Sequence, residues 1–159
     1  MIVATTHLKA KISAENEVRR ARQATQLLAA IKHEQERFPG SHVLLGADFN
    51  TDAYDVEEKG KAVKALCVPV VVDAGLQSAY PLQADAEDQN GMYTTWKKRG
   101  KYEAKHTIDY IFHQAGVECI ATLDVVEDRV MDEARLPGFR YPSDHLALCA
   151  TFAFNRVAA

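Results

Sequence analysis

The pattern of hydrophobic and polar positions predicts a chain that opens on a strand and continues as a long helix. Residues 1–7 are apolar and β-branched, which is typical of a strand. The helix that follows is expected to be capped by Ser13 or Asn16 and to run to about Phe38. Pro39-Gly40 is expected to end it. Its inward-facing positions are predicted to include Val18, Ala21, Leu28 and Ile31.

The rest of the chain is predicted to contain short strands, one weaker helix and polar loops. In order, these are a strand at 42–46, a loop at 47–54, a weaker helix at 55–66 interrupted by Gly60, apolar residues 70–72, and residues 76–80 leading into a polar loop at 81–91. Strand candidates follow at 93–96, 107–112 and 117–126, then a helical turn at 128–135 and a long strand at 143–154. This order predicts an α/β (α+β) layered fold with one mixed sheet.

One face of the predicted sheet lacks a cover. The segments at 43–46 and 146–152 are apolar on both faces. Helices on one side of a sheet cover one face only, so another element must cover the second face. We expect a second copy of the chain or a further segment to do so.

Composition narrows the function classes. The chain has 159 residues, of which 47% are hydrophobic, enough for the core of one domain. A formal net charge of -3 argues against binding nucleic acid through overall charge. Residues 97–106 are a local exception, with five fixed positive charges and one negative. This run is either a solvated loop or a phosphate-binding wall.

The cysteines and the hydropathy indicate an intracellular protein, cytoplasmic or mitochondrial. Cys67, Cys119 and Cys149 are widely spaced and form no CxxC pair. This pattern favours reduced thiols over a disulfide framework or a zinc site. No apolar stretch approaches the length of a membrane span, so no membrane partner is expected.

Asp48 and Asn50 follow the apolar strand at 42–46. In an extended segment, residues two apart point the same way. A carboxylate can orient or deprotonate a water molecule, while an amide donates to a phosphate oxygen, so the pair suits phosphoester hydrolysis. The alternative is an Asx-rich turn with no catalytic role.

Asp109 and His145 are predicted to pair. Asp109 lies among hydrophobic residues, and a buried carboxylate requires a partner. An aspartate holds an imidazole in one tautomer and stabilises its protonated form, which can neutralise a phosphate in the transition state. The alternative is a structural ion pair. Asp144 would then point away from His145 or turn toward a metal, and His7 is a second candidate phosphate donor.

These segments, in this order, resemble the endonuclease/exonuclease/phosphatase superfamily, whose members hydrolyse phosphoesters with Mg²⁺. The sequence has no Gly-rich phosphate loop and no GxSxG elbow, so the nucleophile is expected to be water. The resemblance implies a sandwich of two sheets, each contributed largely by one half of the chain. It rests on Thr6-His7-Leu8, Gly46-Ala-Asp48-Phe-Asn50, Thr107-Ile-Asp109-Tyr-Ile111 and Ser143-Asp144-His145.

The resemblance also implies roles for individual residues. Asp48 and Asn50 would activate water and stabilise the phosphate, Asp109 would pair with His145, and His7 would donate in the transition state. The implied reaction is removal of the 2′-phosphate of NADP(H) with Mg²⁺ or Mn²⁺, or 3′-exonucleolytic shortening of poly(A). Candidate substrate-binding residues are Lys9, Lys11, Trp96 and Arg99, although Lys11 replaces a more usual arginine.

One departure from the superfamily affects the expected activity. Nothing matches the glutamate that binds Mg²⁺ in the first half of the superfamily domain, and no glutamate from Glu15 to Glu36 is predicted on a strand. Residues 1–159 are therefore expected to form a single partial domain, equivalent to the C-terminal half. Such a half would be inactive or weak alone. A non-catalytic half-domain that dimerises through its uncovered sheet face is the remaining alternative.

Overall fold

The computed structural model describes residues 1–82 and 92–154, so most of the polar loop predicted at 81–91 lies outside the described residues. A short 3-10 turn at Asp128–Val130 lies within the predicted helical turn. The strands and helices are β1 Ile2–His7, α1 Ala14–Arg37, β2 Val43–Asp48, β3 Val56–Glu58, β4 Lys61–Val63, α2 Cys67–Asp73, β5 Leu76–Ser78, β6 Thr95–Arg99, β7 Tyr102–His106, β8 Asp109–Gln114, β9 Val117–Thr122 and β10 Ala150–Phe154.

A four-stranded mixed sheet in the order β1-β2-β8-β5 forms the centre of the fold. β1 runs parallel to β2, and β8 runs antiparallel to both β2 and β5. Alternate residues of β2 and β8 pack with both helices in one hydrophobic cluster, represented by Leu45 and Phe112 with Ala24 and Val68. The predicted mixed sheet with helices on one face is therefore confirmed.

Helix α1 begins where the sequence predicts, because the Ser13 side chain accepts a hydrogen bond from the Asn16 backbone N–H. The predicted inward position of Val18 is wrong, since Val18 is 41% exposed. Glu17 and Arg20 are buried instead. Their charges neutralise each other, and both also bond to backbone groups, which makes their burial possible. Neither described helix has the length and apolarity needed to cross a membrane.

The weaker helix predicted at 55–66 is wrong. β3 and β4 form a hairpin there. Its two turn residues, Lys59 and Gly60, both have positive φ, which is the geometry of a tight two-residue hairpin turn. Residues 70–72 lie inside α2 despite their β-branched side chains, because burial against the sheet outweighs their weak helix propensity.

The second half of the chain also differs from the sequence prediction in two places. The basic run at 97–106 is a β6–β7 hairpin rather than a loop. The long strand predicted at 143–154 is wrong, since β10 covers only Ala150–Phe154 and His145 forms an isolated bridge with Thr95. The earlier segment therefore lies against β6 of the β6–β7 hairpin, and β10 pairs with β9.

The sheet face opposite the helices is only partly covered. The antiparallel β9–β10 pair packs Phe152 against His113, with ring centroids 5.3 Å apart. Val3 on the same face is 66% exposed, and Leu44 and Ile111 are half-buried. The candidate catalytic side chains lie on this second face.

Candidate active site

Three candidate residues form one row across the sheet. His7 on β1 is in register with Asp48 on β2, and Asp48 is in register with Asp109 on β8. Along each strand these residues alternate with residues of the hydrophobic core, and side chains of successive strand residues point to opposite faces. The row therefore lies on the face opposite the helices. Strand register therefore brings together residues that are far apart in the sequence.

His145 reaches this row from the segment that bridges Thr95. Its Nδ1 lies 2.9 Å from Oδ2 of Asp109, so the pairing expected from sequence is present. His7 Nε2 lies 3.4 Å from Oδ2 of Asp48, but the His7 side chain is 69% exposed and is held less firmly.

Asp109 lies at the end of the row in a partly buried position. Burial raises the pKa of its carboxyl group, and the nearby Asp48 carboxylate acts in the same direction. Hydrogen bonds from Thr94 and His145 oppose this rise. The buried Thr94 hydroxyl also accepts the backbone N–H groups of Ile108 and Asp109, at 3.0 and 3.1 Å, and so fixes the start of β8.

Asn50 does not lie in an extended segment, so the argument that it points the same way as Asp48 is wrong. β2 ends at Asp48, and Asn50 has a left-handed backbone with φ of 54°. Its backbone N–H donates to Asp48 Oδ1 at 2.8 Å, which is an Asx turn. Its side-chain amide donates to the Leu8 carbonyl at 3.1 Å. The turn and the proposed chemistry are compatible, because an amide nitrogen carries two hydrogens.

Asp144 lies outside the Asp48, Asp109 and His145 group. Its carboxylate pairs with Lys97, whose Nζ lies 2.7 Å from Oδ2. The Lys97 hydrogen bond lowers the pKa of Asp144. The expectation that Asp144 binds a metal stays a prediction, and in this structure its partner is a lysine.

Lys9 and Lys11 lie on the exposed loop between β1 and α1. The buried guanidinium of Arg20 donates to the backbone carbonyls of both residues, at 2.9 and 3.0 Å. Lys11 has a positive φ of 74°, so the loop turns sharply there. Arg20 therefore fixes the backbone from which both lysine side chains extend.

Trp96 and Arg99, the other candidate substrate-binding residues, both lie on β6. Arg135 stacks over the Trp96 ring at 3.9 Å from its centroid, and the indole Nε1 donates to Glu103 at 2.8 Å. Trp96 thus contributes to a second hydrophobic cluster with Tyr93 and Leu136. Arg99 is exposed where the β6–β7 hairpin turns.

A cleft of about 520 Å³ opens between the β1–α1 loop and the β6–β7 hairpin. Lysines line it from three elements, and an exposed tyrosine and two isoleucines supply apolar surface. This combination suits an anionic ligand with an aromatic part. The residues lining it include Lys11, Ile12, Asn50, Lys59, Thr95, Lys97, Tyr102, His106 and Ile108.

Sequence reasoning assigned no individual role to Thr94, Asp52 or His106. His106 Nδ1 lies 2.8 Å from Oδ2 of the buried Asp52, which repeats the Asp109–His145 arrangement. The sequence shows the basic run around Lys97 only as a cluster of charges. A His immediately before the Thr107 motif was the available signal, but its partner lies 54 positions earlier.

Asp48, Asp109 and His145 could hold part of a metal site. Each offers one ligand atom, and these atoms lie within 4.8 Å of one another. Carboxylate oxygens are the ligands that Mg²⁺ and Mn²⁺ prefer, so the two aspartates fit such an ion. The glutamates from Glu15 to Glu36 lie on α1, as expected, and none of them lies on a strand.

Sequence comparison relates the whole described fold to known hydrolases. No protein-family model matches the chain. Nocturnin from Rattus norvegicus is 34% identical over 154 residues, which cover 96% of this chain and 33% of that protein. A probable CCR4-Not complex 3′-5′-exoribonuclease subunit Ccr4 from Encephalitozoon cuniculi is 29% identical over 141 residues, covering 83% of this chain and 28% of that protein.

Structural comparison gives the same relationship. The human nocturnin catalytic domain, solved with a bound sulfate anion, has a TM-score of 0.62 and 27% identity, covering 95% of this chain and 46% of that one. An endonuclease/exonuclease/phosphatase family protein from Bacteroides thetaiotaomicron shares the fold, with a TM-score of 0.58 and 19% identity over 96% of this chain and 48% of that one.

In both fold and sequence the chain is similar to proteins of the endonuclease/exonuclease/phosphatase superfamily. Within that superfamily its sequence is nocturnin-like over nearly its whole length. The chain spans about a third of the length of the curated nocturnins that it matches.

Proposed function

We propose that this chain supplies the aspartate and histidine side of a phosphoester-hydrolase site. The convergence of Asp48, Asp109 and His145 within 4.8 Å carries the proposal. One of these carboxylates is held by burial at a raised pKa and is paired with an imidazole. Such an arrangement is expensive for folding alone and useful for catalysis.

The proposed roles follow from the contacts. Asp48 orients and deprotonates the attacking water, because its carboxylate lies at the centre of the row. Asp109 holds His145 through Nδ1, so the other ring nitrogen faces the phosphate and neutralises its developing charge. His7 is a second donor. The side-chain amide of Asn50 uses one hydrogen to bond to the Leu8 carbonyl, and its other hydrogen contacts a phosphate oxygen.

Asp48 and Asp109 would hold Mg²⁺ or Mn²⁺, with His145 at the edge of the site. Such an ion, when bound, stabilises negative charge on the phosphate. The lysines at the cleft, together with Lys9 and Arg99 nearby, would attract the remaining anionic groups of the substrate.

The proposed substrate is NADP(H), with loss of its 2′-phosphate. The nocturnin-like sequence and the cleft lined by lysines and Tyr102 support a nucleotide that carries phosphate groups beyond the one removed. A poly(A)-specific 3′-exoribonuclease is the second candidate, supported by the similarity to the Ccr4 subunit. The same residues would serve either reaction.

The uncovered sheet face bears directly on activity. Val3, which is 66% exposed, lies on the same face as the catalytic row. We propose that a preceding half-domain covers this face in the active enzyme and supplies the main metal ligand. The chain alone is then inactive or weak. A second copy covering the face would instead give a dimer, which light scattering distinguishes from a monomer.

Phosphate release from NADP⁺ in Mg²⁺ tests the proposal. We expect release by the chain joined to its preceding half-domain, and little by the chain alone. Asp109→Asn and His145→Gln should each lower kcat by about 10²-fold or more, while His33→Gln on the exposed side of α1 should not. Unchanged turnover in both site variants would contradict the assignment. Faster cleavage of an adenylate oligomer than of NADP⁺ would favour the exonuclease.

A further inference from the structure

A second aspartate–histidine pair, formed by Asp52 and His106, faces the cleft. Asp52 is 1% exposed, and its two oxygens have separate partners. Oδ2 contacts His106 Nδ1 at 2.8 Å, and Oδ1 accepts the Thr107 backbone N–H at 2.8 Å. Burial, together with the nearby Asp52 carboxylate, raises the pKa of Tyr54 to about 12. The Asp52 carboxylate is therefore rigidly held.

This geometry fixes His106 as firmly as Asp109 fixes His145. With Nδ1 occupied by Asp52, the remaining ring nitrogen of His106 is left for the cleft that the residue lines. A structural role alone would be satisfied by a neutral hydrogen-bond partner for Asp52. A histidine at this position adds a polar group that can carry positive charge at the cleft surface.

The Asp52–His106 and Asp109–His145 pairs are connected through Thr95. Thr95 is in register with His106 on β7, and on its other side it forms a bridge with His145. Directly opposed residues of an antiparallel pair are about 5 Å apart and point to the same face. The Cα atoms of His106 and His145 are therefore separated by roughly 10 Å, with Thr95 between them.

The charges around His106 favour an anion. Lys11, Lys59 and Lys97 line the same cleft from three different elements, and Glu58 is the one acidic residue among the described residues that line it. Glu58 lies 3.8 Å from Lys59, and Lys97 pairs with Asp144. These two carboxylates offset part of the lysine charge, and Lys11, which is in no ion pair among the described residues, keeps its positive charge in the cleft that His106 also lines.

We propose that His106, positioned by Asp52, binds a second phosphate group of the substrate while the first lies at His145. This inference rests on the proposed function and adds His106 to the proposed site as a second phosphate-binding residue. Phosphates on the 2′ and 5′ oxygens of one ribose are several bonds apart, so each can contact a different histidine. A nucleoside monophosphate can satisfy only one of the two.

Binding measurements on the chain test this inference with adenosine 2′,5′-bisphosphate, 2′-AMP and inorganic phosphate as probes. The unmodified chain should bind the bisphosphate more tightly than 2′-AMP. His106→Gln should weaken bisphosphate binding by about tenfold or more, the effect of one charge-assisted hydrogen bond, and leave 2′-AMP binding unchanged. His33→Gln is the matched control and should bind all three probes normally.

Asp52 acts through His106, so its variant requires a different readout. The ¹⁵N spectrum of the His106 imidazole should show Nδ1 protonated in the unmodified chain and a change of tautomer in Asp52→Asn. Equal weakening of both nucleotides by His106→Gln would show a base or ribose contact and overturn the inference. An unchanged bisphosphate affinity would show a structural pair only. If His145→Gln bound both nucleotides as tightly as the unmodified chain, the proposed function would instead be contradicted, because the first phosphate would then lie elsewhere.

Discussion

Removal of the Glu17 charge tests quantitatively how much the buried Glu17–Arg20 pair stabilises the fold around the β1–α1 loop, which carries Lys9 and Lys11. The Glu17 and Arg20 side chains are 1% and 0% exposed, and Arg20 Nη2 lies 2.6 Å from Glu17 Oε2. Glu17 Oε1 also accepts the backbone N–H groups of Leu66 and Cys67 at the start of α2. The pair thus joins α1, α2 and the loop that carries Lys9 and Lys11.

Glu17→Gln keeps the shape of the side chain but leaves the buried Arg20 charge without its counter-charge. Breaking a buried ion pair in this way costs about 3–5 kcal/mol, a large share of the roughly 5–15 kcal/mol that stabilises a typical domain. Glu15→Gln is the matched control, since the Glu15–Arg19 pair on the same helix is exposed and worth at most about 1 kcal/mol.

The assay is urea unfolding at neutral pH, followed by helix signal. Burial acts to raise the pKa of Glu17, but hydrogen bonds from Leu66, Cys67, Thr51 and Arg20 outweigh it, so the pKa is lowered. A lowered pKa means that the carboxylate contributes stability above its ordinary value of 4.5 and loses it as the pH falls through the folded pKa. The difference between parent and Glu17→Gln should therefore shrink in acid. A Glu17→Gln variant within 1 kcal/mol of Glu15→Gln at neutral pH would refute this reasoning.

Three further predictions concern other parts of the fold. Gly60→Ala should destabilise the chain by about 1–2 kcal/mol in the same unfolding assay, because φ is +74° at this position; stabilisation would indicate the helix that the sequence suggested. Thiol labelling should modify the exposed Cys149 rapidly and Cys67 only after unfolding, because burial raises the pKa of Cys67 to about 12; early modification of Cys67 would contradict its buried position. Asp109→Asn, measured without divalent cations, should raise the melting temperature at neutral pH. The raised pKa of Asp109 means that stability is lost as the pH rises through the folded value, so the gain should vanish below pH 3.8, where the residue is protonated in both states.

Local signals predicted the elements whose pattern is unambiguous. The Ser13 cap and the break at Pro39-Gly40 located α1 closely, and the apolar runs located β1 and β2. The hairpins at 56–63 and 95–106 were missed because charged residues on exposed strands show no alternation between apolar and polar positions. The tertiary structure supplies their partners, and the sequence does not contain that information locally.

The candidate site also has residues that the sequence indicated and contacts that only the structure shows. Four ordered motifs were sufficient to indicate the superfamily and the residues His7, Asp48, Asp109 and His145, because each motif is short and chemically distinctive. Their sequence separations gave no indication that Asp52 pairs with His106 or that Lys97 pairs with Asp144. Those partners are set by how the β6–β7 hairpin packs beside the main sheet.

The sequence by itself determined the resemblance to the superfamily, the long first helix and the types of residue available for phosphate chemistry. Only the tertiary structure decided which polar groups are buried together, as in Glu17 with Arg20, and which face of the sheet carries the row of candidate catalytic residues. The physical reason is that strand register and helix packing join residues far apart in the sequence, such as Glu17 with Cys67, 50 positions apart, and Asp109 with His145, 36 positions apart. The stability of such contacts depends on burial, which is a property of the folded chain.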